Sequence, residues 1–262
     1  MRLVPSEAVL VLGIDLKALR GSPMVRQLLT DEQPRARDRV TQMGFDPARD
    51  LEQVVVAAGN VGHRLEFVVL LRGRLERRQI LSALQERTEL SRRSQRGFTL
   101  YRDPSRAGPL LLFPGPRTMI VVSEGYCDAL LSRLLGQGRS VLDTPLGVRA
   151  RTVRQSSAWV TTRLSLALRD YVASRTGWAA LKGVELAQGD IKPQADRLDL
   201  RLDLQMDAVQ GARLVQHRVQ QYSRGAPNPP RVTRDGRRVS LRLSLTLAQL
   251  RGIRKVAASM LR

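Results

Sequence analysis

Two segments of strictly alternating apolar and polar residues constrain this fold more than any other feature of the sequence. Residues 198–206 carry Leu or Met at every second position, with Asp, Arg and Gln between them. Residues 238–247 repeat the pattern, with Val and Leu alternating with Arg, Ser and Thr. Alternation of this length predicts antiparallel strands with one buried face and one face in water.

The dipeptide Asp235-Gly236 precedes the second alternating segment and predicts a hairpin over residues 231–247. A type I′ turn at this dipeptide would need positive φ at both central positions, which Asp-Gly sequences favour. If the strands at 197–206 and 238–247 pair, charged side chains on their polar faces should meet across the ladder. The expected pairs are Asp199 and Asp203 facing Arg238 and Arg242.

The two halves of the chain have the same predicted order of elements. The first half reads as strand 7–14, helix 15–30, short helix 31–42, strands 52–59 and 65–72, helix 75–90, strands 98–102, 109–113 and 118–122, and helix 123–135. The second half reads as strand 157–163, helix 165–175, strands 182–191 and 197–206, helix 207–223, hairpin 231–247 and helix 248–261. Both halves are β-α-β-β-α-β-β-α, and the first has one extra strand.

This order predicts an α+β protein with two similar units, largely antiparallel sheets and helices packed on one face. The first unit is expected at residues 1–136 and the second at 157–262, joined by a connector at 137–156 that contains a short helix. Internal duplication explains the shared order, although α+β proteins also alternate their elements in this way without duplication.

The sequence carries few groups typical of catalysis. His63 lies in a predicted turn, and His217 lies on a helix without the spacing of a paired metal site. Cys127 lies in the first turn of the predicted helix 123–135, where the helix dipole would lower the pKa of its thiol and make it nucleophilic. The alternative, which we favour, is that Cys127 is a small apolar residue packed inward with Leu130 and Leu131. The carboxylates of four aspartates are expected to cap helices or turns: Asp15, Asp46, Asp50 and Asp190. We therefore predict no enzyme, no cofactor and no metal site.

Positive charge is the main functional indication. The chain has a formal net charge of +20, and only four of its 44 basic residues are Lys. A GC-rich genome favours Arg over Lys whatever the function, but the surplus of bases should still attract polyanions. Two clusters, near 72–106 and 231–242, predict the following anion-binding residues: Arg72, Arg74, Arg77, Arg78, Arg92, Arg93, Arg96, Arg234, Arg237 and Arg238.

The nature of the anion stays open at this stage. Binding of single-stranded nucleic acid usually needs aromatic side chains among the basic ones, and only Phe98 and Tyr101 lie near the first cluster. The helix at 248–261 is basic and amphipathic, so it docks on a sheet or lies on an anionic membrane. No apolar run approaches the roughly 20 residues of a membrane-spanning helix, so no transmembrane segment is predicted.

Two short motifs near the N-terminus resemble a family of bacterial proteins. The segment Val4–Leu16 continues to Leu19-Arg20-Gly21-Ser22-Pro23, and Gly44-Phe45-Asp46-Pro47 precedes Asp50-Leu51. These motifs, with the final strand and helix at 237–261, resemble exported proteins and lipoproteins of myxobacterial type, which have no established activity. The resemblance implies a periplasmic or envelope location, whereas the N-terminus taken literally predicts a cytoplasmic one.

Together these observations predict a non-enzymatic binding or structural module of the bacterial cell envelope. Its expected contact is a protein partner or an anionic surface. The alternative is a cytosolic protein that binds polyanions such as nucleic acid through the arginine clusters.

Overall fold

The computed structural model describes residues 1–30, 44–104, 108–166, 169–170, 173–174, 177–226 and 228–250. The chain divides into two compact units. The first comprises Met1–Ala18 and the described residues from 44 to 151, and the second comprises Leu19–Thr30 and the described residues from 152 onwards. The predicted helix at 31–42, and the predicted helix at 248–261 beyond Leu250, lie outside the described residues.

Antiparallel strands form the sheet of the first unit, in the spatial order β1-β2-β3-β7-β6-β5-β4. Their bounds are β1 (Leu10–Asp15), β2 (Leu51–Val61), β3 (Arg64–Gly73), β4 (Ser91–Gln95), β5 (Phe98–Arg102), β6 (Leu110–Gly115) and β7 (Thr118–Val122). The α-helices between β1 and β8 are α1 (Leu16–Gly21), α2 (Pro23–Thr30), α3 (Pro47–Asp50), α4 (Arg77–Gln85), α5 (Glu124–Leu134) and α6 (Pro145–Val153), and of these α2 belongs to the second unit.

The strands of the second unit follow the order β8-β9-β10-β12-β11. Their bounds are β8 (Ala158–Arg163), β9 (Val184–Pro193), β10 (Arg197–Met206), β11 (Arg231–Asp235) and β12 (Arg238–Thr246). Helix α7 (Val209–Tyr222) follows β10, and residues 166, 169–170 and 173–174 are helical between β8 and β9.

The two units share one strand order, which confirms the α+β class with antiparallel strands. The order β1-β2-β3-β7-β6 in the first unit corresponds to β8-β9-β10-β12-β11 in the second. The first unit adds the hairpin of β4 and β5 at the end of its sheet, where the sequence predicted one extra strand. Strand β4 was missed because its sequence, Ser-Arg-Arg-Ser-Gln, contains no apolar residue to give a strand periodicity.

Helices contact both faces of the first unit's sheet, whereas the sequence placed them on one face. Ile80 of α4 belongs to a core cluster with Met119 of β7 and Leu71 of β3. Helix α5 contacts β3 from the other side, because Glu66, on the face opposite Leu71, accepts a hydrogen bond from the Gly125 N–H at 2.9 Å. The central strands are apolar on both faces, so both faces need a cover.

In the second unit, helix α7 covers the apolar face that the alternating strands predicted. Its buried residues Ala212, Val215 and Val219 pack with Leu204, Met206 and Val239. The register places Asp203 opposite Ser240 and Asp199 opposite Ser244. The predicted direct pairing of these aspartates with arginines is therefore wrong, although Arg238 reaches Asp203 diagonally, with a nitrogen–oxygen distance of 2.8 Å.

The last hairpin does not have the predicted type I′ turn at Asp235-Gly236. Asp235 still pairs with Arg238, so the two-residue loop is Gly236-Arg237, and only Gly236 has positive φ (52°). The type I′ pattern occurs instead between β4 and β5, where Arg96 and Gly97 have φ of 51° and 83°.

Three of the four predicted capping aspartates cap helices or turns. Asp15 accepts from the Ala18 N–H at 2.8 Å, Asp46 accepts from Ala48 at 2.9 Å, and Asp50 accepts from the Asp46 N–H at 2.8 Å. Asp190 does not, because it lies within β9, where its buried carboxylate accepts a hydrogen bond from the Ser156 hydroxyl at 2.9 Å.

Pro23 divides the helix predicted at 15–30 into α1 and α2. Proline cannot donate the backbone hydrogen bond that a continuous helix would need there, but it fits the first turn of a new helix. Within the described residues, no helix has both the length and the apolar character to cross a membrane.

Candidate anion-binding cleft

The ten predicted anion-binding arginines separate into groups with different environments. At the hairpin of β11 and β12, each is held by a protein acceptor. Arg234 donates to Gln216 at 3.3 Å, Arg237 donates to the Asp207 carbonyl at 3.2 Å, and Arg238 donates to Asp203 at 2.8 Å. These three side chains therefore support the local structure of the second unit.

Arg93 and Arg96, near the end of the first unit's sheet, are paired with acidic residues of α5. The Arg93 guanidinium lies 2.7 Å from Glu124, and that of Arg96 lies 3.8 Å from Asp128. The hydrogen bond that Arg93 donates to Glu124 raises the pKa of Arg93. Arg72 and Arg74 are exposed around the end of β3, and within the described residues neither makes an ion pair.

The remaining arginines of the first cluster meet at an open cleft of about 480 Å³, which we call the arginine cleft. Arg78 comes from the first turn of α4. Arg92 comes from β4, directly opposite Tyr101 of β5, so the two side chains share a face of the sheet. The complete lining consists of Arg78, Leu81, Ser82, Gln85, Leu90, Arg92 and Tyr101.

Arg77 fixes the position of Tyr101, which lines this cleft. Its guanidinium donates a hydrogen bond to the Tyr101 hydroxyl and lies 5.5 Å from the centre of the Tyr101 ring and 5.8 Å from that of Phe113. The two rings meet edge to face at 6.4 Å. Cation–π and edge-to-face contacts of this kind stabilise the arrangement. Arg77 is thus a positioning residue, whereas Arg78 and Arg92 remain exposed.

The lining of the arginine cleft suits an anion that has an apolar part. None of its residues is acidic, and neither Arg78 nor Arg92 has an ion-pair partner in the described part of the chain. Guanidinium groups bind phosphate and carboxylate through two parallel hydrogen bonds. Ser82 and Gln85 add neutral donors, and Leu81 and Leu90 add apolar surface.

Sequence reasoning found the arginines of the cleft but missed Ser82, Gln85 and Tyr101 as lining residues. Tyr101 was noted only as an aromatic residue near the cluster. The pairing of β4 with β5 places Tyr101 opposite Arg92. The sequence of β4 has no strand periodicity, so it gives no indication of this pairing.

The other candidate residues are structural or exposed. Cys127 is buried at 2% exposure beside Leu130 and Leu131, and burial raises the pKa of its thiol despite the hydrogen bond from Arg93. His63 is exposed in the turn between β2 and β3, and His217 is exposed on α7. The described residues contain no group of three or more His, Cys, Asp or Glu side chains arranged to hold a metal ion.

Comparison with known proteins supports the fold alone. No protein-family model matches the chain, and no curated protein matches it. Solved structures do match, and they place the chain among α+β proteins that share this arrangement of helices and antiparallel strands.

The matching structures are crystal forms of TP0453. Crystal form III is 12% identical and has a TM-score of 0.64, and the match covers 95% of this chain and 94% of that one. Crystal form I is 13% identical with a TM-score of 0.59, covering 95% of this chain and 93% of that one. Crystal form IV is 12% identical with a TM-score of 0.60, covering 96% and 94%.

Proposed function

We propose that the protein is a non-enzymatic binding module of the bacterial cell envelope that contacts an anionic surface through the arginine cleft. The observation that carries this proposal is the composition of the cleft. The guanidinium groups of Arg78 and Arg92, which make no ion pair within the described residues, lie beside Leu81 and Leu90, and no carboxylate lines the cleft. The net charge of +20 supports it by attracting anionic partners over longer distances.

An anionic lipid surface fits the cleft better than nucleic acid does. Apolar side chains next to basic ones are typical of sites that contact the boundary between head groups and acyl chains. Sites for single-stranded nucleic acid instead present aromatic faces on which bases stack. Tyr101 is the only aromatic residue in the lining, and its hydroxyl and ring already engage Arg77. The envelope location is supported by the resemblance of the N-terminal motifs.

The test is co-sedimentation of the protein with vesicles of phosphatidylcholine alone or with added phosphatidylglycerol. We expect binding only to the anionic vesicles, weakening as salt rises from about 50 to about 200 mM. The variant Arg78→Gln/Arg92→Gln should bind about 30-fold more weakly, since each basic residue near an anionic surface contributes about 1 kcal/mol.

The matched control is Arg213→Gln/Arg224→Gln, which removes two exposed arginines from the second unit and changes the net charge equally. It should retain most of the binding. Equal losses in the two variants would mean that total charge and not the cleft is responsible, and would overturn the proposal. Tighter binding to duplex DNA than to vesicles, lost in the cleft variant, would support the polyanion alternative instead.

A further inference from the structure

Three arginines occupy directly opposed positions on three neighbouring strands of the second unit. Arg201 of β10 lies opposite Arg242 of β12, and Arg242 lies opposite Arg231 of β11. Directly opposed residues of antiparallel strands point to the same face, with Cβ atoms about 5 Å apart. We call this set the arginine row. Like charges directly opposite each other destabilise a sheet, so the row needs compensation from some other source.

The protein itself compensates only one end of the row. Arg201 lies 3.0 Å from the carboxylate of Asp203. Asp190, opposite Arg201 on β9, instead accepts the hydrogen bond from the Ser156 hydroxyl. Within the described residues, Arg242 and Arg231 make no ion pair. Two arginines of the row, Arg242 and Arg231, are therefore left without an ion-pair partner among the described residues.

An open cleft of about 460 Å³ borders the row. Two of its members, Arg201 and Arg242, line this cleft, and Lys192 and Arg197 add two further basic side chains. The remaining lining residues are Asp190, Asp199, Leu200, Leu243 and Ser244.

The two carboxylates of this cleft are already engaged within the protein. Asp199 accepts hydrogen bonds from the Ser244 hydroxyl at 2.7 Å and from Arg197 at 3.2 Å, and these interactions lower its pKa. Asp190 is held by Ser156. The lining thus contains four basic side chains and two acidic ones, and both acidic side chains already accept hydrogen bonds within the protein.

The equivalent face of the sheet in the first unit is apolar, so the arginine row does not follow from the fold that the two units share. Ile120 of β7 and Leu112 of β6 occupy that face, and both are almost completely buried. In the second unit the corresponding strands β12 and β11 present Ser240, Arg242 and Arg231. The polar face is therefore a property of this unit's sequence and is not required by the strand order.

We propose that the arginine row is a second anion site, separate from the arginine cleft, that binds a phosphate-bearing ligand of the pyrophosphate class between Arg201 and Arg242. Guanidinium groups match phosphate oxygens bidentately. Arg242 and Lys192 line the cleft and make no ion pair within the described residues, so together they offer more than the single charge that a carboxylate would neutralise, and Arg201 adds N–H donors beside them. The bound anion supplies the counter-charge that the sheet lacks at Arg242.

The test measures the thermal unfolding midpoint and the dissociation constant of the full chain with sodium pyrophosphate. We expect pyrophosphate to raise the midpoint. Arg242→Gln should raise the midpoint in the absence of the ligand, because it removes the opposed like charges, and should weaken pyrophosphate binding at least about tenfold. The exposed-surface control Arg224→Gln should change neither quantity, and Arg242→Lys should bind more weakly than the wild type because a lysine cannot bind bidentately.

The outcome separates this site from the arginine cleft. Arg78→Gln/Arg92→Gln should leave pyrophosphate binding unchanged, and a loss in that variant would move the ligand to the cleft and overturn the inference. Absence of any pyrophosphate effect on the wild type would also overturn it. Vesicles of phosphatidic acid, whose head group is a phosphate monoester, distinguish the two sources when they are added to the Arg78→Gln/Arg92→Gln variant. If they displace pyrophosphate, the natural phosphate is a lipid head group; if they do not, it is a soluble phosphate, and both results support the site.

Discussion

Replacing Asp203 by Asn should destabilise the second unit more than any other single change of charge on β10. The carboxylate is 3% exposed and accepts a hydrogen bond from the Ser240 hydroxyl at 2.5 Å. Nitrogens of Arg238 and Arg201 lie 2.8 and 3.0 Å from it. Burial alone would raise the pKa of Asp203, but the hydrogen bonds from Ser240 and Arg238 and the charge of both arginines outweigh burial, so its pKa is lowered.

The magnitude follows from these contacts. Removing one partner of a buried ion pair costs about 3–5 kcal/mol, but the side chains of Arg201 and Arg238 are about 40% exposed and keep part of their hydration. We therefore expect Asp203→Asn to lower the free energy of unfolding by about 2–3 kcal/mol at neutral pH. Asp199→Asn, on the same strand and face but with a carboxylate that is 36% exposed, is the matched control and should cost less than about 1 kcal/mol.

Urea unfolding of both variants at several pH values provides the measurement. Because the folded-state pKa of Asp203 lies below its ordinary value of 3.8, its contribution is complete well above that pH and is lost as the pH falls through the lowered pKa. The difference between wild type and Asp203→Asn should thus be equal at pH 7 and pH 5 and should shrink near about pH 3. A difference below about 1 kcal/mol at pH 7, or one no larger than that of Asp199→Asn, would refute this reasoning.

Two substitutions and one measurement of thiol reactivity test the core of the first unit. Tyr126→Phe should leave the free energy of unfolding unchanged or raise it by up to about 1 kcal/mol, because the buried hydroxyl finds no hydrogen-bond partner among the described residues; a clear loss in urea unfolding would contradict this. Gly59→Ala should lower the free energy of unfolding by about 2 kcal/mol or more, since its new Cβ would lie 2.3 Å from the Tyr126 oxygen and 2.5 Å from the Glu7 carbonyl oxygen. Gly115→Ala is the control, because its Cβ would meet no atom within 4 Å. Cys127 should react with a disulfide reagent far more slowly in the folded than in the unfolded protein, because burial removes access and raises the thiol pKa; equal rates would show that the helix opens freely.

Much of the fold could be predicted from the sequence because its strands carry strong periodicity. Strands β10 and β12 alternate over nearly their whole length, and the structure places them within one residue of the predicted bounds at 197–206 and 238–247. Strand β4 could not be predicted, since its stability comes from pairing with β5 and not from an apolar face of its own.

The candidate sites depend on contacts that sequence order does not contain. The sequence shows the arginines of the first cluster as a group. In the fold their side chains point in different directions, and only Arg78 of α4 and Arg92 of β4 line the cleft. The arginine row was not anticipated, because it depends on a register that sets Arg201 against Arg242. A shift of one residue would have exchanged the polar and apolar faces of the strand.

The positions of β4 and β11 at the ends of their strand orders have a consequence for aggregation. A terminal strand leaves backbone N–H and C=O groups available to pair with a strand of another molecule, and charged side chains on such strands oppose this. Strand β4 carries Arg92 and Arg93 and no apolar residue, and β11 carries Arg231 and Arg234. The arginines of β4 and β11 therefore protect both terminal strands, so a variant or partner that neutralises them would expose edges competent for intermolecular sheet growth.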